Sequence, residues 1–231
     1  MNALLVELFS SKVRAAVLEW MIPRPHLGAS LTDLSRLLGL PVSSLQHECY
    51  KLERIGILFT RKSGNARLYR PRPDCPILLP LAALVAAAIG PATALRAALE
   101  GVGGIDEAFV AGTLPGIAVE DRGMPSPVRT LPATNAGPGR AGSFPSPGTG
   151  PLRSGSSTDT PRLVIIGDLP LDELGAVLGR AEAVLGMAGG SLELAYFRLD
   201  DWHQRQAEGN PFVRALVRAP RISLVGVVTG H

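Results

Sequence analysis

A chain of 231 residues, 46% of them hydrophobic, can bury one large core or two small ones, and at 5% aromatic content that core must be built from Leu, Val, Ile and Ala. The net charge of +3 is unevenly spread: Met1–Cys75 holds 11 Lys+Arg against 6 Asp+Glu, a net of +5, and the remainder 12 against 14, a net of −2. A basic head on a mildly acidic body points to a polyanionic partner for the head. The two cysteines, Cys49 and Cys75, exclude a disulfide framework and any paired-cysteine metal motif.

In chain order, Ser10 or Ser11 is placed to cap a helix running to about Met21, with Val13, Val17, Leu18 and Met21 at helical spacing. Pro23 and Pro25 end it. Thr32 reads as the cap of a short helix with Leu34, Leu37 and Leu38 on one face and Gly39 as its stop. Ser43 opens a third helix, and Gln46 three residues on makes a capping box. Leu45, Cys49, Leu52 and Ile55 line its apolar side, and Gly56 follows as a stop. Ile57–Thr60 and Arg67–Arg70 read as strands around a tip at Lys62–Asn65. Helix, helix, helix, hairpin is the order of a winged helix-turn-helix, the turn Gly39–Ser43 preceding the recognition helix.

Opposite the apolar side of that third helix lie Ser44, Gln46, His47, Tyr50, Lys51 and Arg54, which offer hydrogen bonds or positive charge. The N-terminal members suit base edges and the later ones phosphates. The hairpin adds Arg61, Lys62, Arg67 and Arg70, with Arg72 just beyond. A hairpin this basic suits a phosphate backbone, where counterion release drives binding. Double-stranded DNA is therefore the expected partner.

From Pro76 to Leu95 there is no charged residue, about the length of a membrane span. Pro80 and Gly90-Pro91 interrupt the run, so a helix pair over about Ile77–Glu100, buried all round by a second copy of the chain or by packing between domains, is expected in its place. Ile105–Ala111 then reads as a buried strand ending in Gly112-Thr113. From Pro115 to Pro161 the chain holds 9 Pro and 8 Gly, a density at which ordering entropy outweighs burial, and a flexible insertion is expected. Leu163–Ile166 and Leu192–Phe197 read as strands, Leu171–Leu185 as a helix, a further helix begins near Asp200, and Arg221–Val228 is a last strand. Strands alternating with helices indicate an α/β layer.

Several stretches resemble ArsR-type winged-helix regulators fused to a nucleotidyltransferase-like domain. They are Leu8–Arg14, Leu52–Leu58 and Gly64–Arg70 in the head, and Glu208–Phe212 with Ala219–Ile222 in the tail. The resemblance implies an α+β chain. Residues 1–75 form a winged helix-turn-helix DNA-binding domain, 76–100 a linking helix, and 101–231 a nucleotidyltransferase-like α/β domain interrupted by the insertion at 115–161.

In active members of that fold, Gly-Ser cradles a nucleotide phosphate, an Asp-x-Asp pair on the next strand holds divalent metal ions, and a third carboxylate follows. Here Gly112-Thr113 stands for Gly-Ser, Thr160 and Arg162 fall at the Asp-x-Asp positions, and Glu193 matches the third acid. A cation at a metal-ligand position repels the metal. The implied nucleotide site (Gly112, Thr113, Glu193) is therefore vestigial and the domain a pseudoenzyme, with no metal or cofactor; magnesium enters only on the alternative reading of a working nucleotidyltransferase. The expectation is a cytoplasmic, homodimeric transcriptional regulator with an unidentified nucleotide or protein effector and no membrane partner. An antitoxin-like interaction protein is the other alternative.

Overall fold

The computed structural model describes residues 1–64, 66–114 and 160–226, and is a mixed α+β structure without a closed barrel. The expected insertion at 115–161 lies outside the described residues, apart from Thr160 and Pro161.

The N-terminal part runs α1 (Ala3–Phe9), α2 (Lys12–Met21), α3 (Leu31–Leu38), α4 (Val42–Arg54) and a hairpin of β1 (Leu58–Ser63) and β2 (Ala66–Pro71). Ser11 caps α2, its side chain accepting the Arg14 N–H, as its position before the apolar repeat predicts. The extra helix α1 is capped by Asn2 and closed by Ser10, which takes a left-handed conformation at φ 51°. Two caps differ from expectation. α3 starts on Ser30, whose hydroxyl accepts the Asp33 N–H while the Asp33 carboxylate accepts the Ser30 N–H, so Thr32 lies inside the first turn. α4 starts after Pro41 with no side-chain cap, and Ser43 sits in its first turn; the fixed φ of proline sets the start instead.

Val17, Leu18 and Met21 of α2, Leu34 of α3 and Leu45, Cys49 and Leu52 of α4 close on Leu58 and Tyr69 of the hairpin as one core. A fully buried leucine such as Leu45 contributes about 2 kcal/mol. Burial, with Glu48 and Glu53 nearby, pushes the Cys49 thiol up to about 12, so it packs as a small apolar group. Leu37 and Ile55, expected in this core, are exposed at 54% and 60%. Glu48 is buried in the core wall, where its carboxylate accepts Arg14 Nε at 2.8 Å and Lys51 Nζ at 3.3 Å.

α5 (Leu78–Ile89) and α6 (Pro91–Leu99) meet at 115° across Gly90, as the break at Gly90-Pro91 predicts. Leu81, Ala82 and Val85 of α5 join the first core, and Ala86 joins the second. The expected all-round burial of α5 is not met within one chain, because Leu79 and Leu84, and Ile77 just before the helix, remain exposed. Among the described residues no single helix is long and apolar enough to cross a membrane.

The rest of the chain comprises β3 (Ile105–Ala111), β4 (Arg162–Gly167), α7 (Leu171–Val184), β5 (Glu193–Phe197), α8 (Leu199–Ala207), α9 (Pro211–Arg218) and β6 (Arg221–Val225). The sheet order is β5-β4-β3-β6, with β4 and β5 parallel and β3 antiparallel to both of its neighbours. Strand alternation sends Ala108, Val110, Leu163 and Ile165 toward α6 and α7. Phe109, Val164, Ile166 and Phe197 go the other way, onto Trp202 of α8 and Val213 and Leu216 of α9. The Phe109 ring meets Trp202 edge-on at 6.1 Å. α9 was not foreseen; Asn210 caps it and Pro211 begins it.

Two contacts tie the head to the turn after α6, and a third braces the head beside them. Arg24 Nε donates to the Glu100 carboxylate at 2.6 Å, and His26 Nε2 lies 2.7 Å from the Glu100 carbonyl oxygen. Arg70 of β2 donates to the carbonyl oxygen of His26. Burial, above all, holds the His26 imidazole below its ordinary pKa, so the neutral ring is favoured at this junction.

Candidate nucleic-acid interface

The polar side of α4 and the hairpin border a common cleft of about 390 Å³, lined by Ser43, Gln46, His47, Tyr50 and Glu53 of the helix and by Arg67 and Tyr69 of β2. Helical spacing explains the helix wall: Gln46, Tyr50 and Glu53 follow one another at i, i+4 and i+7. The cleft is open to solvent, with Gln46, His47 and Tyr50 all exposed. α4 itself packs on α2, α3 and β1.

The six expected helix residues divide between two sides. Gln46, His47 and Tyr50 line the hairpin cleft. Lys51 and Arg54 instead border a depression on the side of α2, with Phe9, Arg14 and Leu18. Ser44 is half-buried. Lys51 is held by Glu48, whereas Arg54 is exposed and has no ion pair among the described residues.

The hairpin cations divide as well. The register pairs Leu58 with Pro71, Thr60 with Tyr69 and Lys62 with Arg67, so these six share the face that looks onto α4. Arg61 and Arg70 belong to the opposite face, together with Phe59 and Leu68. Of the four expected hairpin cations, Lys62 and Arg67 lie on the α4 side and Arg61 and Arg70 on the other. Arg70 donates to His26, and the Arg72 guanidinium lies 6.0 Å from the Phe59 ring, so both brace the far face.

Sequence reading passed over Glu53. Its Oε1 accepts the Thr60 hydroxyl at 2.8 Å, and both of its oxygens accept from Arg67 Nη2 at 2.9 Å. The carboxylate therefore ties helix to hairpin and offsets the charge of Arg67. The signal was present, since position 53 follows Gln46 by two helical turns and Tyr50 by three residues.

At one end of the C-terminal sheet, the register aligns Glu193, Arg162, Ala111 and Arg221 across the four strands. Gly112, at φ 96°, turns the chain just beyond β3, and a Cβ there would stand 3.4 Å from Pro161 Cα. The structure thus brings Gly112, Arg162 and Glu193 to one edge, with Thr113 exposed beside them. Arg162 forms an ion pair with Glu193 and lies over the Phe212 ring at 5.1 Å. This donor set does not fit a divalent cation: its carboxylate already faces a fixed positive charge. Asp168, in the loop after β4, pairs with Arg198 at 3.0 Å and stands apart from this edge. Among the described residues no three His, Cys, Asp or Glu side chains converge as a metal site.

Comparison of the chain with family models, with curated proteins and with solved structures finds no match.

Proposed function

We propose that this protein is a DNA-binding transcriptional regulator whose N-terminal part acts as a winged helix-turn-helix. α4 would lie in the major groove and the β1–β2 hairpin would grip the backbone as the wing. The observation that carries the reading is the open cleft in which Gln46, His47 and Tyr50 of one helix face Arg67 of the hairpin, with Lys62 its cross-strand partner on the same hairpin face. Hydrogen-bonding side chains at the start of a helix, flanked by cations on an adjacent hairpin, are the arrangement that reads base edges while neutralising phosphates.

A homodimer is part of the proposal. α1 packs beside α5, and Asn2 Nδ2 donates to the Ala88 carbonyl at 2.6 Å. Both helices carry exposed apolar side chains, Leu4 and Leu8 on the first and Leu79 and Leu84 on the second, with Ile77 exposed just before it. A second copy is the occupant that a DNA-binding chain favours, because twofold symmetry lets two α4 helices meet two half-sites.

The C-terminal α/β part is read as a nucleotidyltransferase-like domain without catalytic activity. Support comes from the Arg162–Glu193 ion pair, which sets a guanidinium where the reaction needs metal-binding acids. Gel shifts against genomic fragments over a range of salt test the regulator: tight binding to discrete fragments that weakens steeply with salt is expected. Salt-insensitive binding, or none, removes it. Incorporation of labelled nucleotide with magnesium or manganese, lost in Glu193→Ala, would replace the pseudoenzyme reading with an enzyme.

A further inference from the structure

A second cavity, of about 320 Å³, lies between the head and the linking helices. Trp20 of α2 and Leu37 and Leu38 of α3 form its head-side wall; Ile89 and Thr93 form the other, one on each side of the bend at Gly90-Pro91. The volume is at the small end of the roughly 300–1,000 Å³ typical of ligand pockets, and junctions between packed units are where such pockets concentrate. Leu37 is half-exposed at this cavity, which explains why an apolar residue expected in the core is not sealed within it.

Three charged groups line the cavity, Glu19, Arg24 and the Met1 amino group, and they differ in what they have left to offer. Glu19 accepts the Asn2 backbone N–H at 2.7 Å and lies 3.6 Å from the amino terminus. It is already neutralised, and a ligand ammonium would find no free acid there. Arg24 donates Nε to Glu100 at 2.6 Å and Nη1 to the Trp20 carbonyl at 3.1 Å. A guanidinium carries five N–H donors in a planar fork, so its Nη2 edge remains for a second carboxylate. The guanidinium carbon lies 5.3 Å from the Trp20 ring centroid, which sets that fork beside an aromatic wall.

We infer that this cavity binds a small aromatic carboxylate, its ring against Trp20 and the leucines and its acid group on Arg24. The cavity size limits the ligand to about one ring with a short acidic arm. Such a ligand would touch α2 and α3 on one side and the α5–α6 bend on the other, and would add a second anion to the arginine that joins the head to Glu100. It is therefore the effector of the proposed regulator. That role rests on the DNA-binding reading, whereas binding of the ligand does not.

Calorimetric titration of the full chain with phenylacetate, and with phenylacetamide as the uncharged probe, tests the inference. One saturable site is expected for the acid, with the amide about tenfold weaker because it lacks the charge-assisted pair. Arg24→Gln should weaken the acid by a similar factor. Glu100→Gln should tighten it about threefold, since it removes the anion competing for Arg24 yet leaves the backbone carbonyl that His26 contacts. Glu100 is half-exposed, so this variant keeps the test sound even if Arg24→Gln unfolds the chain. Equal binding of acid and amide, no saturable binding of the acid, or an unchanged affinity in Glu100→Gln overturns the site. For the effector role, saturating DNA should change the affinity for phenylacetate by the factor by which phenylacetate changes affinity for DNA. An unchanged affinity on DNA removes that role alone, and failure to bind any DNA removes the regulator reading but leaves the ligand site standing.

Discussion

Glu53 of α4 holds Arg67 of β2 through both carboxylate oxygens, each at 2.9 Å, so the helix and hairpin that border the cleft are joined by an acid. A carboxylate in this position fixes the angle between the two elements but lowers the positive charge they present. Glu53→Gln keeps hydrogen-bonding capacity and releases one positive charge. It should raise affinity for non-specific duplex DNA several-fold at low salt and steepen the salt slope by about one unit, as one further phosphate contact does. Fluorescence anisotropy at several salt concentrations measures both. An unchanged slope would show that Arg67 does not reach phosphate.

The register of the hairpin separates two adjacent cations. Lys62 shares the α4 side with Arg67, and Arg61 points away from it. Lys62→Ala is expected to weaken DNA binding by about three- to tenfold, about 1 kcal/mol, and Arg61→Ala by less than twofold. Equal losses in parallel gel shifts would contradict the assignment of faces.

Glu48 predicts a pH dependence. Burial by itself would raise its carboxyl, but hydrogen bonds from Arg14 and Lys51 outweigh it and the group lies below its usual 4.5. A depressed folded-state value gives stability that is complete above the unfolded value and is lost as pH falls through the folded one. Glu48→Gln should therefore cost about 1–3 kcal/mol at neutral pH and flatten the acid side of the stability profile below about pH 4.5. Urea unfolding at pH 7 and pH 4 checks it.

Gly186, at φ 67°, follows α7 and lies directly against α5. A Cβ there would stand 2.5 Å from Ala83 Cβ and 2.6 Å from the Leu79 carbonyl oxygen. Gly186→Ala should destabilise the chain by about 1–3 kcal/mol or more through overpacking and a left-handed backbone. A thermal melt within about a degree of wild type would show that α5 and α7 can separate freely.

The two thiols should react at different rates. Cys49 is fully buried with its pKa pushed up, while Cys75 is partly exposed. A thiol reagent at neutral pH is expected to label Cys75 in the folded chain and Cys49 only after unfolding.

Much of the fold was legible because periodicity and punctuation agreed. Val17, Leu18 and Met21 recur at helical spacing behind a serine cap, and they form the core of α2. Gly90-Pro91 broke an otherwise uniform apolar run where the chain bends by 115°. Local chemistry misled where two candidates competed. Thr32 and Ser30 both precede the α3 repeat, and only Ser30 has Asp33 three residues on to complete the reciprocal pair. Ile55 continued the apolar spacing of α4 past the helix end, where it turns out to solvent.

The candidate cleft was legible in part. Its helix side followed from the position of the apolar stripe. The hairpin cations were counted together, whereas strand alternation parts Arg61 from Lys62. Glu53 was missed because charge counting sought cations and passed over the acid that organises them.

The most direct test of the account is selection of bound genomic fragments by wild type and by Tyr50→Glu side by side. Tyr50 is 61% exposed in the cleft, so the substitution adds a negative charge there without disturbing the core. The wild type should enrich a discrete, salt-sensitive set of fragments, and Tyr50→Glu, folded by circular dichroism, should lose it. Equal enrichment by both proteins would contradict the claim that DNA meets the chain between α4 and the hairpin.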